Sequence, residues 1–373
     1  MACKMKFLRA GLLLAALVVL MAGCINQKAS KEILIGVAWP FQSNSSLFGE
    51  GADLAVKQIN EGGGVNGRVI RLIKIDDEAS VVKGMSIAQS FAESREVIAV
   101  IGHRSSPIAI PTSKIYEDGG IIMMSSGSTA PELTQKGYKY VFRNIPAVSA
   151  ITKQLTLYAA KNGHKRMVIY YTGDSYGISL ANAFEDHAQE SGITVVDRVS
   201  YYGDVKGLAR LHQKWKAMDF DGIFVAQAMP DGAQFIADAG RAGIAVPFLG
   251  TNAMDSPQLA KIGGSAAEGT VVGTVFNPSD PSSETKKFVQ DFHVEYGKEP
   301  LQYSALGYDA VKILADAILQ SGSSDPAAVA EKLRSFTNWQ GAAGLHSYDS
   351  SGDETGDIVV KKILRNGKLE VIE

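Results

Sequence analysis

Two doubly wound α/β lobes are predicted for this chain, and three observations predict them. The chain has 373 residues, room for two domains of ordinary size. Its 46% hydrophobic and 20% charged residues are those of a globular protein with a sizeable core. Short apolar runs alternate with segments of helical period over residues 33–146, and the alternation restarts over residues 147–277. Repeated βα units of this kind close into parallel sheets covered by helices, with a ligand cleft expected between two such lobes.

The first 23 residues stand apart from this pattern. Lys4, Lys6 and Arg9 precede the apolar run 10–22, which is broken only by Gly11. A helix of that length reaches only about 20 Å against a hydrocarbon core of ~30 Å, so the segment reads as a secretion signal and not a membrane span. Residues 20–24 read Leu-Met-Ala-Gly-Cys, which resembles a bacterial lipobox. The resemblance implies that Cys24 becomes the lipidated first residue of the mature chain, with residues 24–32 as a polar tether. Without the signal 34 basic residues face 39 acidic ones, a net charge of −5, which argues against a nucleic-acid partner. Cys3 leaves with the signal and Cys24 carries lipid, so the expected body has no disulfide, catalytic thiol or zinc site.

The elements follow in order. A strand is expected at 33–38, then Trp39 and Phe41 in a loop at the strand's end, where aromatic side chains either pack on a ligand or join the core. A helix at 47–61 ends at Gly62, Gly63 and Gly64, and a strand at 69–75 ends in Asp76, Asp77 and Glu78, expected to be solvated. A helix at 80–94 leads to a strand at 97–101. Ser105 and Ser106 before Pro107 then mark a helix start. A strand at 121–124 runs into Ser125, Ser126, Gly127, Ser128 and Thr129. Hydroxyls and free N–H groups at the ends of two neighbouring parallel strands favour an anion, most simply a carboxylate. After a strand at 140–143 the second series follows: helices at 151–162, 176–191, 206–218 and 231–242, and strands at 167–171, 194–200, 222–226, 247–249 and 270–275. Helices at 284–296, 303–321 and 326–335 and strands near 357–364 and 369–372 complete the chain.

Several motifs carry nothing. GGGVNG at 62–67 matches G-x-G-x-x-G in letter but follows a helix and precedes a strand, the reverse of a dinucleotide site. No P-loop, G-x-S-x-G or H-E-x-x-H occurs, and the six histidines are scattered. His103 reads as a turn residue with a satisfied ring. No cofactor and no metal are expected.

With these residues in view, the chain resembles the substrate-binding proteins of branched-chain amino-acid ABC transporters, the leucine/isoleucine/valine-binding type. The marks are ILIGVA, GADLAVKQINEGGGVNGRVIRLIKIDDEAS, VIAVIGHRSS, APELTQKGYKYVFRN, DSYGISLANAF, GYDAVKILADAI and DSSGD, with IYEDGGIIMMSSGSTAPELTQKG the most specific. The resemblance implies a type I periplasmic binding protein: two Rossmann-like lobes joined by three hinge crossings that close on a small ligand. The lobes expected are 33–146 plus 278–350 and 147–277 plus 351–373, with hinges near 144–146, 277–279 and 349–352. It also implies that Ser106 grips the ligand carboxylate together with Ser128 and Thr129, and that Tyr176 contacts the ligand from the second lobe. The family's glutamate for the ligand ammonium is replaced by Asn252, with Asp174 and Asp231 the nearest acids by strand-end position. The expected protein is a membrane-anchored lipoprotein of the cell envelope that delivers its ligand to an ABC permease. An apolar or aromatic amino acid is the first expectation for that ligand. A non-amino carboxylate (an aromatic or 2-oxo acid) or a small amide is the second. An enzyme on the same scaffold, a hydrolase using Ser106 or Ser128, is the alternative from another class. It lacks a recognisable base opposite those serines.

Overall fold

A computed structural model describes residues 32–42 and 46–372. The predicted signal, Cys24 and the tether up to residue 31 lie outside the described residues; Glu32, expected to end the tether, opens the first strand. The first sheet is built from β1 (Glu32–Trp39), β2 (Val69–Asp76), β3 (Val97–Gly102), β4 (Ile122–Ser125) and β5 (Val141–Arg143), in the order β2-β1-β3-β4-β5. The β1/β3, β3/β4 and β4/β5 pairs are all parallel. From Ile33 to Trp39 every residue of β1 is buried, because helices cover both faces of the sheet. α1 (Phe48–Glu61) lies on one face and α2 (Val81–Ser94) and α3 (Ser106–Gly119) on the other, over two separate apolar cores.

The second sheet takes up β6 (Arg166–Tyr171), β7 (Thr194–Val199), β8 (Gly222–Ala226), β9 (Phe248–Gly250) and β10 (Val271–Thr274) as its parallel part. α4 (Val148–Lys161) and α5 (Ser175–Glu190) cover one face; α6 (Val205–Lys216), α7 (Asp231–Arg241) and α8 (Gln258–Gly263) cover the other. The chain then returns to the first lobe. α9 (Ser283–Tyr296), α10 (Gln302–Ser321) and α11 (Pro326–Arg334) join the first core, and a hairpin of β11 (Trp339–Gln340) and β12 (Leu345–His346) follows. Two antiparallel strands, β13 (Val360–Arg365) and β14 (Lys368–Ile372), finish the second sheet in the order β14-β13-β10-β9-β8-β6-β7. The chain therefore passes between the sheets three times, after β5, after β10 and after β12.

α10 anchors the returning segment. It packs across α1 so closely that a Cβ on Gly51 would stand 1.9 Å from the Ser304 carbonyl oxygen. Only glycine permits that approach. A buried charged cluster fixes the hairpin beneath it: His346 lies 2.6 Å from Glu354 and 3.2 Å from Asp309, all within the protein interior. Asp309 also accepts the Ala342 and Ala343 N–H groups, and Glu354 those of Ser347 and Gly356.

The structure departs from expectation at the end of β2. Asp77 is not solvated: it is fully buried and pairs with His103 Nδ1 at 2.7 Å, while the other ring nitrogen meets the Tyr116 hydroxyl at 3.2 Å. A buried carboxylate needs such a partner. The ring of His103 is satisfied, as the sequence suggests. α4 starts at Val148, three residues before the expected start. The short helix α8 and the β11–β12 hairpin were not expected.

Candidate functional site

The turns after β3 and β4 lie against each other, backbone on backbone. A Cβ on Gly127 would stand 2.4 Å from the Arg104 carbonyl oxygen, so any side chain there would part the two turns. Ser105 stands in extended conformation at the N-cap position of α3, without a side-chain capping bond, and Ser106 and Pro107 open the helix. The Ser106 hydroxyl accepts a hydrogen bond from Ser128 Oγ at 2.9 Å and from the Ala130 N–H at 3.3 Å. Behind this turn Arg143, fully buried, donates to the carbonyls of Ser128 and Ala130 and to Thr134 Oγ1. The Thr129 hydroxyl is buried and has no partner.

The second lobe meets these turns with three strand ends. After β6, Asp174 caps α5 by accepting the Gly177 N–H at 3.0 Å, and Tyr176 follows. The Tyr176 hydroxyl lies 2.7 Å from Thr251 Oγ1, which in turn donates to the Gln227 carbonyl. Burial pushes the Tyr176 phenol far above its ordinary range, so it stays neutral. After β9, Asn252 is 1% exposed, yet neither its side-chain oxygen nor its nitrogen has a partner. Its main-chain carbonyl accepts from Gln302 of α10, which holds the residue in place across the two lobes.

Between the lobes lies a partly open cavity of about 140 Å³. Arg104, Ser105, Ser106 and Gly127 line it from the first lobe; Thr172, Asp174, Tyr176, Gln227, Asp231 and Asn252 line it from the second. Tyr303 of α10 closes one side, and beyond Arg104, Ala253 and Tyr303 lies a second cavity of about 80 Å³. The Arg104 guanidinium stands 5.5 Å over the Tyr303 ring, and its Nε is buried without a partner. Such a cavity, with the unpaired polar atoms of Arg104 and Asn252 among its lining residues, suits a small ligand bearing a carboxylate. Among the described residues no group of three His, Cys, Asp or Glu side chains could hold a metal ion, and no helix is long and apolar enough to cross a membrane.

Of the residues read from the sequence, Ser106, Tyr176 and Asn252 line this cavity, as do Asp174 and Asp231. Asp174 and Asp231 are exposed at its mouth, unlike Asn252. Ser128 and Thr129 sit just behind the wall, Ser128 bonded directly to Ser106. Trp39 and Phe41 do not reach either cavity. Trp39 is fully buried, stacked on Phe48 with centroids 3.8 Å apart, and its edge supports Tyr303 at 5.5 Å. Phe41 packs against Gly49 at the start of α1. Both side chains therefore pack on the core that α1 and α10 share. Sequence reasoning missed Arg104, Thr172, Gln227 and Tyr303. Arg104 had a signal, being the one charged residue between Gly102 and Ser106; the others had none.

The chain is similar over most of its length to solved and curated proteins. A substrate-binding protein of an ABC transporter from Desulfitobacterium hafniense, solved in complex with Leu, is 50% identical and superposes with a TM-score of 0.86, covering 91% of this chain and all of that one. The leucine-binding protein LivK of Thermotoga maritima is 29% identical with a TM-score of 0.83, over 91% of this chain and 98% of the other. A Leu/Ile/Val-binding protein homologue of Brucella suis is 29% identical over 93% of each chain. These relatives are substrate-binding receptors, not enzymes. The family model described as periplasmic binding protein matches residues 32–358. With two lobes, three passes between them and a cavity at the strand ends, the chain belongs to the periplasmic binding protein family.

Proposed function

We propose that this protein is the extracytoplasmic receptor of an ABC transporter, that it closes on a small apolar amino acid such as leucine, and that it delivers the amino acid to the permease. The observation that carries the reading is the Asn252 side chain, which lines the cavity together with Ser106 and whose oxygen and nitrogen are buried without a partner, with the buried, unpartnered Thr129 hydroxyl behind the wall. A buried polar group without a partner costs about 1–3 kcal/mol, and a ligand carboxylate and ammonium would relieve it. Ser106, Ser128 and Thr129 would take the carboxylate. Tyr176 would cover the ligand from the second lobe, and Asn252 with Asp174 or Asp231 would take the ammonium. The relative solved with Leu supports the same ligand class.

One observation favours a second reading. The buried group facing the serine turns is neutral Asn252, and the two acids are exposed at the rim. A buried ammonium without a counter-charge costs several kcal/mol, so a non-amino carboxylate would fit such a site better. Titration calorimetry with leucine and with its 2-oxo counterpart separates the two. Tighter binding of leucine supports the amino-acid receptor; equal or tighter binding of the 2-oxo acid replaces it with a carboxylate receptor.

The mature protein would be tethered to the membrane through two acyl chains on Cys24, enough for stable attachment at roughly 0.8 kcal/mol per buried methylene. Cell fractionation of Cys24→Ser tests this: release from the membrane fraction, or an unprocessed precursor, is expected, and unchanged association overturns it.

A further inference from the structure

Arg143 occupies a position that the ligand reading alone does not use. It is the last residue of β5, immediately before the chain's first pass between the lobes, and is fully buried. One face of its guanidinium group holds the serine turn: Nη1 donates to the carbonyls of Ser128 at 3.3 Å and Ala130 at 3.0 Å, and Nη2 to Thr134 Oγ1 at 2.7 Å. The other end meets Asp353, with Nε 2.5 Å from Oδ1 and Nη2 3.4 Å from Oδ2. Asp353 belongs to the third pass, which is seated on β5. The Arg143 N–H donates to the Gly352 carbonyl at 3.2 Å, and a Cβ on Gly352 would stand 2.2 Å from the Val141 carbonyl.

The peptide plane turns this into a statement about the cavity. With the Ser128 carbonyl held by Arg143, the Thr129 N–H of the same planar unit points the opposite way. The turn is thereby preset before any ligand arrives. Burial works against the Arg143 charge, and Asp353 is the counter-charge that keeps it; deleting either strands the other.

We propose that Arg143 is a positioning residue for ligand binding, and that the Arg143–Asp353 pair couples two of the three interlobe passes to the turn carrying Ser128 and Thr129. This rests on the reading of that turn as the ligand grip. A shift of the third pass on lobe movement would act on the turn through one buried ion pair, and a ligand that orders the turn would act back on the pass.

The test uses the full chain with Asp353→Asn and Arg143→Lys, and Val225→Ala in the core of the second lobe as a stability control. Hydrogen exchange of residues 126–134 is followed without ligand, together with the melting temperature and calorimetric titration with leucine. Exchange in 126–134 is expected to rise tenfold or more in both pair variants while exchange in the second sheet stays at the wild-type level. Leucine affinity is expected to fall ten- to a hundredfold. The control should melt lower with 126–134 unchanged. Wild-type exchange and affinity in both pair variants overturn the proposal, as does exchange that rises evenly along the chain, the mark of a merely structural pair. If the wild type itself does not bind leucine, the ligand reading fails, while the exchange measurement still decides the role of Arg143.

Discussion

Replacing Asn252 by leucine should make this protein more stable and less able to bind. Asparagine and leucine have similar shape, and the bond from Gln302 goes to the main-chain carbonyl, which the substitution keeps. The variant loses a buried amide whose oxygen and nitrogen have no protein partner. Removing unsatisfied polar atoms without leaving a hole should return about 1–3 kcal/mol. In a chain of this length that is a rise in melting temperature of roughly 2–5 °C. Binding should move the other way. A hydrogen bond to a charged ligand group is worth about 1.5–3 kcal/mol, so leucine affinity should drop ten- to more than a hundredfold. Differential scanning fluorimetry without ligand and titration calorimetry with leucine give the two numbers. A variant that melts lower than wild type and binds leucine equally well would refute the reasoning, because Asn252 would then be a structural residue.

Ser106→Ala and Thr129→Ala should each weaken leucine binding ten- to over a hundredfold by calorimetry, with the fold intact by circular dichroism. Small-angle scattering should give a smaller radius of gyration with saturating leucine than without, since the cavity walls come from both lobes. Stability should also depend on His346. Burial works against its charge, but Glu354 and Asp309 outweigh it and push the imidazole up from 6.5 to about 10. The folded state therefore holds a proton that the unfolded chain releases, so this contribution is complete below about pH 6.5 and is lost as the pH rises toward 10. The melting temperature should fall over that interval in the wild type and fall less steeply in His346→Gln.

The sequence carried the alternation of strands and helices well, because parallel strands covered on both faces read as short apolar runs whatever lies around them. The serine turns were legible for a related reason: Ser105, Ser106 and Pro107 announce a helix start locally, and the neighbouring strand repeats the signal. What could not be read depended on partners far along the chain. Trp39 and Phe41 look alike whether they face a ligand or a core, and the outcome for Trp39 is set by Phe48 and by Tyr303 of α10. Asp77 seemed a solvated strand end until His103 was placed beside it. Tyr303 and Gln227 carry no pattern at all, since the cavity wall is assembled from segments scattered between residues 104 and 303.

The close seat of Gly127 on Arg104 has a consequence for how this scaffold can change. It makes the serine half of the site a single block, two strand ends fused through their backbones. The opposing half is three loop ends, at residues 172–176, 227–231 and 252–253, each hung from its own strand and tied to the next by single hydrogen bonds, Tyr176 to Thr251 and Thr251 to the Gln227 carbonyl. A substitution in the block disturbs both turns at once, whereas one at Asp231 or Ala228 leaves the Tyr176–Thr251–Gln227 bonds of the opposing half in place. New ligand ranges are therefore reached most economically through the loops. A mutant library for a leucine-derived biosensor belongs at those positions, with the anchor left as it stands.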